Sequence, residues 1–117
     1  MAPWVHNLFA SIDAMQADRF ATFLTEDARF TFGNAASVNG RAAIRDAVAS
    51  FFGTIKALRH EITNVWEVGE TVICQLAITY TRHDNRVVLI PAANIFHMRD
   101  KLIHDYRIYI DLSPVYA

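Results

Sequence analysis

The sequence contains little cysteine, glycine or proline, and the lack of cysteine is the most restrictive feature. Cys74 is the only cysteine among 117 residues, so an internal disulfide and a multi-cysteine metal site are both excluded. His6, His83 and His97 have no partners at ligand spacing, so no metal site is expected. A lone thiol inside an apolar strand is typical of a core residue, and it favours a reducing cytoplasm.

The chain also lacks an excess of charge and a long hydrophobic run. Eleven basic and twelve acidic residues leave a net charge of −1 without a basic patch, so nucleic acid is not an expected partner. The longest apolar run, Val87–Phe96, is interrupted by Pro91 and Asn94. Neither a membrane span nor a signal peptide is therefore expected.

Apolar and aromatic residues are abundant instead. Hydrophobic residues make up 53% of the chain and aromatic residues 12%, with eight phenylalanines. A chain of this length forms one domain, predicted over residues 1–117, around a single core. The aromatic content exceeds what packing alone requires, which predicts that part of it lines a ligand cavity.

The second half of the chain predicts an antiparallel meander. Val72–Thr81, Val87–Met98 and Leu102–Asp111 are rich in β-branched and aromatic residues and are joined by short polar turns. Such short connections join only antiparallel neighbours. Alternation in the last strand places Tyr106 and Ile108 on an inner face, and Ile103 with Arg107 on an outer face.

The first half predicts three helices and two further strands. The predicted elements are an amphipathic helix over Val5–Met15, a short helix capped by Asp18 and ending at Glu26-Asp27, a strand over Ala28–Phe32, a helix from Arg41 to about Thr54, and a strand from Leu58 to about Val68. In the strand that begins at Leu58, alternation places four residues on one face: His60, Ile62, Asn64 and Trp66. The order α-α-β-α-β-β-β-β is typical of an α+β fold with helices on one side of an antiparallel sheet.

Three segments in this order resemble the SnoaL-like branch of the nuclear transport factor 2-like superfamily. They are Glu26-Asp27-Ala28-Arg29-Phe30, Asn39-Gly40-Arg41-Ala42-Ala43-Ile44, and the closing strand Tyr106–Leu112. The resemblance implies a cone-shaped α+β barrel, in which a strongly bent antiparallel sheet wraps three helices around an apolar pocket. Activities vary widely within that superfamily, so the fold alone does not define the function.

Two catalytic patterns of the superfamily are absent. At the positions where limonene epoxide hydrolases carry their arginine, carboxylates and water-holding pair, this chain has Gln75, Ala77, Ile108, Phe30 and Phe32. Steroid isomerases carry their carboxylate base where Phe32 stands, and only their acid donor has a polar counterpart, Asn94. The resemblance therefore implies neither of these two reactions.

A third pattern, that of the scytalone dehydratase-like enzymes, fits better. Asp13, His60 and Asn94 stand where that group carries an aspartate, a histidine and an asparagine, whereas its tyrosines fall at Ile12 and Phe32. The likeness implies that Asp13 orients His60 as a general acid or base and that Asn94 donates to a substrate carbonyl. For each residue a structural interpretation stays open: a solvated Asp13, a partly exposed strand histidine, and an amide bonded within the core.

The expected activity is that of a lyase or isomerase that needs no cofactor and acts on a small apolar carbonyl compound. The residues predicted to contact this substrate are Phe30, Phe32, Ile62, Trp66, Gln75, Tyr106 and Ile108. The alternative is a non-catalytic module that binds a hydrophobic small molecule, since the tyrosines of the dehydratases are replaced by apolar residues.

The outer face of the last strands predicts a homodimer. Arg107, Tyr109 and Asp111 lie beside Val87 and Leu89, a mixture that suits a two-fold interface in which Arg107 pairs with a partner aspartate. The alternative is a solvated face covered by the chain's own tail, Ser113-Pro114-Val115-Tyr116.

Overall fold

The computed structural model describes residues 3–117, which form a six-stranded sheet and four helices. The helices are α1 (Trp4–Asp13), α2 (Ala17–Ala21), α3 (Arg41–Phe52) and α4 (Ser113–Tyr116). The strands are β1 (Leu24–Phe32), β2 (Val38–Asn39), β3 (Ala57–Val68), β4 (Thr71–Thr81), β5 (Val87–Arg99) and β6 (Leu102–Ile110). The predicted α+β class and the order of its main elements are confirmed, with β2 and α4 as additions.

The strands lie in the order β2-β1-β6-β5-β4-β3, so the predicted meander forms one half of the sheet. β1 pairs with β6 in parallel, with Phe32 opposite Ile108, which makes the sheet mixed rather than wholly antiparallel. A parallel pair requires a long connection, and the whole chain from α3 to β5 provides it. This pairing brings the first strand beside the last and sets their inner faces against the helices.

The core lies between that inner face and helices α1 to α3. In β4 every second residue points inward and is at most 4% exposed: Val72, Cys74, Leu76, Ile78 and Tyr80. Burial raises the pKa of the Cys74 thiol to about 11, so the group stays a neutral thiol in the fold. None of the helices between residues 3 and 117 has the length and hydrophobicity needed to cross a membrane.

Two extra residues interrupt the regular alternation of the strands. In β3, Ile62 pairs with Leu76 but Asn64 pairs with Gln75, so Thr63 is a bulge. In β6, the pairing shifts between Asp105 and Ile103, which leaves His104 as the extra residue. Ile103 is therefore completely buried, and its predicted outward position is wrong.

The first helical hairpin is shorter than predicted. α2 ends at Ala21, and Glu26-Asp27 lie within β1 rather than at the end of a helix. The N-cap of α2 is Gln16 and not Asp18. The Asp18 carboxylate instead accepts a 2.5 Å hydrogen bond from Arg45. The exposed polar stretch predicts a helix end here, but the pairs of β1 with β6 on either side of it, Leu24 with Ile103 and Arg29 with Asp105, keep the chain extended.

Candidate functional site

Asp13 and His60 form a hydrogen-bonded pair between α1 and β3. The Asp13 Oδ1 atom lies 2.6 Å from His60 Nδ1, and the carboxylate also accepts the backbone N–H of His60, with Oδ2 at 3.0 Å. A carboxylate can only accept, so Nδ1 carries a proton. In the neutral imidazole Nε2 then has the lone pair, and it is the nitrogen that can take a proton from a ligand.

Position and packing hold this pair in place. Asp13 is the last residue of α1, where the chain leaves the helix, and Phe9, one turn earlier, stacks on the His60 ring at 4.7 Å. The His60 side chain is 6% exposed, whereas that of Asp13 is 26% exposed. His60 lines a central cavity and an outer depression, while Asp13 lines only the depression. The pair therefore spans the wall between the cavity and solvent.

The central cavity is small and mostly aromatic. Its volume is about 40 Å³, which is room for a few water molecules. It is lined by Ile12, Phe20, Phe30, Phe32, Val48, Phe51, Phe52, Leu58, His60, Ile78, Tyr80, Asn94, Tyr106 and Ile108. Apart from His60, only Asn94 and the two tyrosines contribute polar side-chain atoms.

Asn94 and Tyr106 form a second polar pair, deep in the cavity wall. Asn94 Nδ2 donates to Tyr106 Oη at 3.3 Å, and both residues are 1% exposed. Among residues 3–117, Asn94 Oδ1 has no hydrogen-bond partner. Burial raises the pKa of Tyr106 well above its usual value, and that of Tyr80 is raised for the same reason. Both phenols are therefore neutral and able to donate.

The structure brings together most of the residues that the sequence singled out. Phe30, Phe32, Tyr106 and Ile108 line the cavity with His60 and Asn94. Ile62 does not; it lies in the outer depression, beside the Asp13–His60 pair. The candidate residues therefore divide between the two sides of the same wall.

Two of the predicted substrate contacts are wrong, because they lie on the opposite face of the sheet. Trp66 is 48% exposed, since the bulge at Thr63 reverses the alternation of β3 beyond Ile62. Gln75 is exposed as well, and it accepts a hydrogen bond from Asn64 at 2.9 Å. Its neighbours in β4 are the ones that point inward, so Gln75 cannot reach the cavity.

Several lining residues were not identified from the sequence as part of the site. Phe51 and Phe52 belong to the apolar stripe of α3, a pattern that predicts burial but not which buried residues face a cavity. Tyr80 had a usable signal, because it continues the inward alternation of β4 and carries a hydroxyl. A polar atom at the end of an apolar strand face marks a candidate cavity residue.

The model of the SnoaL-like domain matches residues 5–106, which include both polar pairs and all the strands up to the middle of β6. The chain belongs to the SnoaL-like domain family. Comparison with curated protein sequences found no significant match.

Solved structures of SnoaL-like and related proteins share the cone fold. A Catenulispora acidiphila protein with a ketosteroid isomerase-like fold, in complex with trimethylamine, is 19% identical with a TM-score of 0.90, over 98% of this chain and 90% of that one. A putative SnoaL-like polyketide cyclase from Jannaschia sp. CCS1 is 22% identical with a TM-score of 0.83, over 96% and 85% of the two chains. A limonene epoxide hydrolase-like enzyme from M. tuberculosis is 14% identical with a TM-score of 0.80, over 96% of this chain and 83% of that one. At these identities the likeness establishes the fold alone.

Proposed function

We propose that this SnoaL-like protein is a lyase or isomerase that needs no cofactor and acts, in the cytoplasm, on a small apolar carbonyl compound. The observation that carries the proposal is the 2.6 Å contact between Asp13 and His60 in the wall of an otherwise apolar cavity. Such a pair fixes the imidazole tautomer, and a dry cavity strengthens its electrostatic interactions with a ligand.

In the proposed reaction, His60 Nε2 takes a proton from the carbon beside the substrate carbonyl. The electron pair of that C–H bond moves toward the carbonyl oxygen and gives an enolate. The second Nδ2–H of Asn94, or the O–H of Tyr106, donates to this oxygen. In an isomerase the substrate carries a C=C bond conjugated with the enolate, and the imidazolium returns the proton to the far carbon of that bond as the double bond shifts. In a lyase a hydroxyl on the carbon next to the deprotonated one leaves, the enolate electron pair forms a C=C bond, and the imidazolium proton joins the leaving group to give water.

Two further observations support a small-molecule reaction. The cavity is lined by one base, by the neutral Asn94–Tyr106 pair and by the neutral phenol of Tyr80, whereas proton abstraction beside a carbonyl requires only one base and one donor. The related Catenulispora protein was crystallised with trimethylamine, which supports a small-molecule site in the same fold.

The test is exchange of the carbon-bound proton with solvent. A thermal-shift screen of terpenoid, polyketide and aromatic carbonyl compounds selects ligands, and NMR in D₂O then follows the signal beside the carbonyl. We expect the wild type to catalyse exchange and His60→Gln to slow it by orders of magnitude. His97→Gln is the matched control, because His97 is exposed and bonds Thr71 on the outer face. Full exchange by His60→Gln shows that the pair is not the base.

A second candidate is a non-catalytic binding module, and the lining of the cavity favours it. Ile12 and Phe32 are apolar at the positions where the resembled dehydratases carry tyrosines, and both line the cavity. A hydrophobic ligand would bind there unchanged. A compound that stabilises the protein in the thermal-shift screen, but shows no proton exchange or product after prolonged incubation, supports this module against the enzyme.

We also propose a homodimer through the outer face of the sheet. Trp66, Leu89 and Tyr109 are 48%, 68% and 53% exposed, and α4 does not cover them because Val115 is buried in the core. Arg107 bonds Asp105 of its own chain at 3.1 Å through Nε and also interacts with Tyr109, and its planar guanidinium has further N–H donors that we expect to bond an aspartate of the partner. We expect Arg107→Glu to shift light scattering toward the monomer, with Arg86→Glu in an exposed loop as control. A wild type that is monomeric at tens of micromolar contradicts the proposal.

A further inference from the structure

The mouth of the cavity lies where β1 ends beside the last turn of α3. Three lining residues meet there, Phe32, Phe51 and Ile108, and all three are only half-buried. Phe32 pairs with Ile108 across β1 and β6. The deeper lining residues Phe30 and Tyr106 are 5% and 1% exposed. A ligand entering from solvent on this side therefore meets the three half-buried side chains first.

Two aromatic rings close this mouth. The rings of Phe32 and Phe51 meet edge to face with centroids 4.9 Å apart, and Phe51 also contacts the buried Tyr80 at 6.2 Å. Each ring stands at the end of its element: Phe32 precedes Gly33, which has a φ of 59°, and α3 ends one residue after Phe51. Rotation of either side chain about its first torsion opens the mouth without breaking a strand or a helix.

The closed cavity is too small for a substrate with a ring. Its volume is about 40 Å³, whereas an apolar protein cavity that binds benzene has about 150 Å³. Outward rotation of one phenylalanine vacates the volume of one ring and joins it to the existing space. Opening of the mouth therefore also enlarges the cavity by about the volume of one ring.

We propose that the Phe32–Phe51 pair gates the cavity and limits its substrates to carbonyl compounds that carry at most one six-membered ring. This inference rests on the proposed function for the carbonyl chemistry, whereas the size limit follows from the cavity alone. A planar ring replaces the displaced phenyl ring in its edge-to-face contacts with the remaining aromatic residues. The carbonyl then points toward Asn94 and His60, the polar part of the wall.

The test measures binding rather than turnover. ¹⁹F NMR follows 4-fluoroacetophenone, which has one ring, and 2-acetyl-6-fluoronaphthalene, which has two. We expect the wild type to bind the first and to exclude the second. Phe51→Ala and Phe32→Ala should each exchange the one-ring probe at least about tenfold faster and bind the two-ring probe. Phe51→Leu, a milder change that preserves the fold, should fall between them.

Phe23→Ala is the matched control, because Phe23 is also half-buried but does not line the cavity. It should leave both probes unaffected. The gate is wrong if the folded variants Phe51→Leu, Phe51→Ala and Phe32→Ala all behave as the wild type. It is also wrong if Phe23→Ala changes the binding of the probes as the gate variants do, or if the wild type does not bind the one-ring probe. Failure of the proposed reaction can be distinguished from failure of the gate. If only the reaction is wrong, His60→Gln matches the wild type in proton exchange while the gate variants still alter binding.

Discussion

The two polar pairs of the cavity have different environments. Asp13–His60 joins a partly exposed carboxylate to a nearly buried imidazole and lies between the cavity and an outer depression. Asn94–Tyr106 is completely enclosed and consists of neutral groups. The first pair is connected to solvent and contains an acid and a base, whereas the second has neither property.

This difference agrees with the different roles that we propose for the two pairs. A charge buried without solvent is costly, so a pair that gains and loses protons belongs at the boundary of the cavity. A neutral amide and phenol can lie in the interior, where their fixed dipoles orient a ligand oxygen without reorganisation. The comparison predicts that changes to the first pair affect mainly chemistry and that changes to the second affect mainly stability and ligand orientation.

The largest expected effect is that of Asp13→Asn on proton exchange. An amide of the same shape can donate to His60 Nδ1, which favours the wrong tautomer and removes the lone pair from Nε2. We expect exchange of the carbon-bound proton in D₂O to fall by about 10⁴-fold, as in triads whose aspartate is replaced by asparagine. Asp18→Asn, on an exposed surface of α2, is the control and should have no effect.

The second prediction concerns the stability of the buried pair. Tyr106→Phe leaves Asn94 Nδ2 unpaired inside the core, so we expect a loss of about 1–3 kcal/mol in the free energy of unfolding. Asn94→Leu should also destabilise the fold, while the double variant should lose less than the sum of the two. Urea unfolding measures all three. Strict additivity contradicts a hydrogen bond that matters energetically.

The third prediction uses the raised pKa values of the buried acids. Cys74 and Tyr106 are neutral in the fold, so their contribution to stability is complete below their unfolded pKa values of 9.0 and 10.0. Stability should therefore decrease as the pH rises above about 9, where the unfolded chain begins to release protons that the fold retains. Thermal unfolding between pH 8 and about 11 measures it. Cys74→Ala should delay the onset; an unchanged onset contradicts the assignment to the thiol.

The smallest effect is expected from the exposed pair of Asp27 and Arg99. The Arg99 guanidinium holds the pKa of Asp27 down at about 2, below its usual value of 3.8. The contribution of the pair to stability is therefore complete above pH 3.8 and is lost as the pH falls through 2. Both side chains are about half exposed, where solvent screens the interaction. Asp27→Asn should lower the unfolding midpoint slightly at pH 6 and not at all below pH 2. A large change at neutral pH would contradict this.

The Asp13–His60 contact was predicted from the resemblance, and both residues lie in regular segments that fix their faces. Asp13 lies one turn after Phe9 in α1, and His60 lies before the bulge of β3, where alternation still holds. The Asn94–Tyr106 hydrogen bond was not predicted, because it depends on the register of two adjacent strands, in which Asn94 pairs with Ile108 and Phe96 pairs with Tyr106. Local periodicity fixes the face of a residue, but it does not select the partner.

The remaining features depend on interactions between distant segments. Periodicity places Trp66 on the wrong face because it contains no sign of the extra residue at Thr63. The parallel pairing of β1 with β6 joins residues more than seventy positions apart, and the short strand β2 forms only by pairing with β1. Neither has a local signal, since both conformations are determined by the partner strand.

The bulge at Thr63 also gives the β3–β4 hairpin one position at which its length can change without a change of register. The Thr63 hydroxyl donates to the backbone carbonyl of Gln75 at 2.9 Å, which holds the extra residue in place. Deletion of Thr63 would restore unbroken alternation and leave Asn64 and Trp66 facing outward and Val65 facing inward, opposite the same partners in β4. A single lost codon at this position would thus remove the bulge without rearranging the strand, and the replacement of Thr63 by serine would preserve both the count and the hydroxyl.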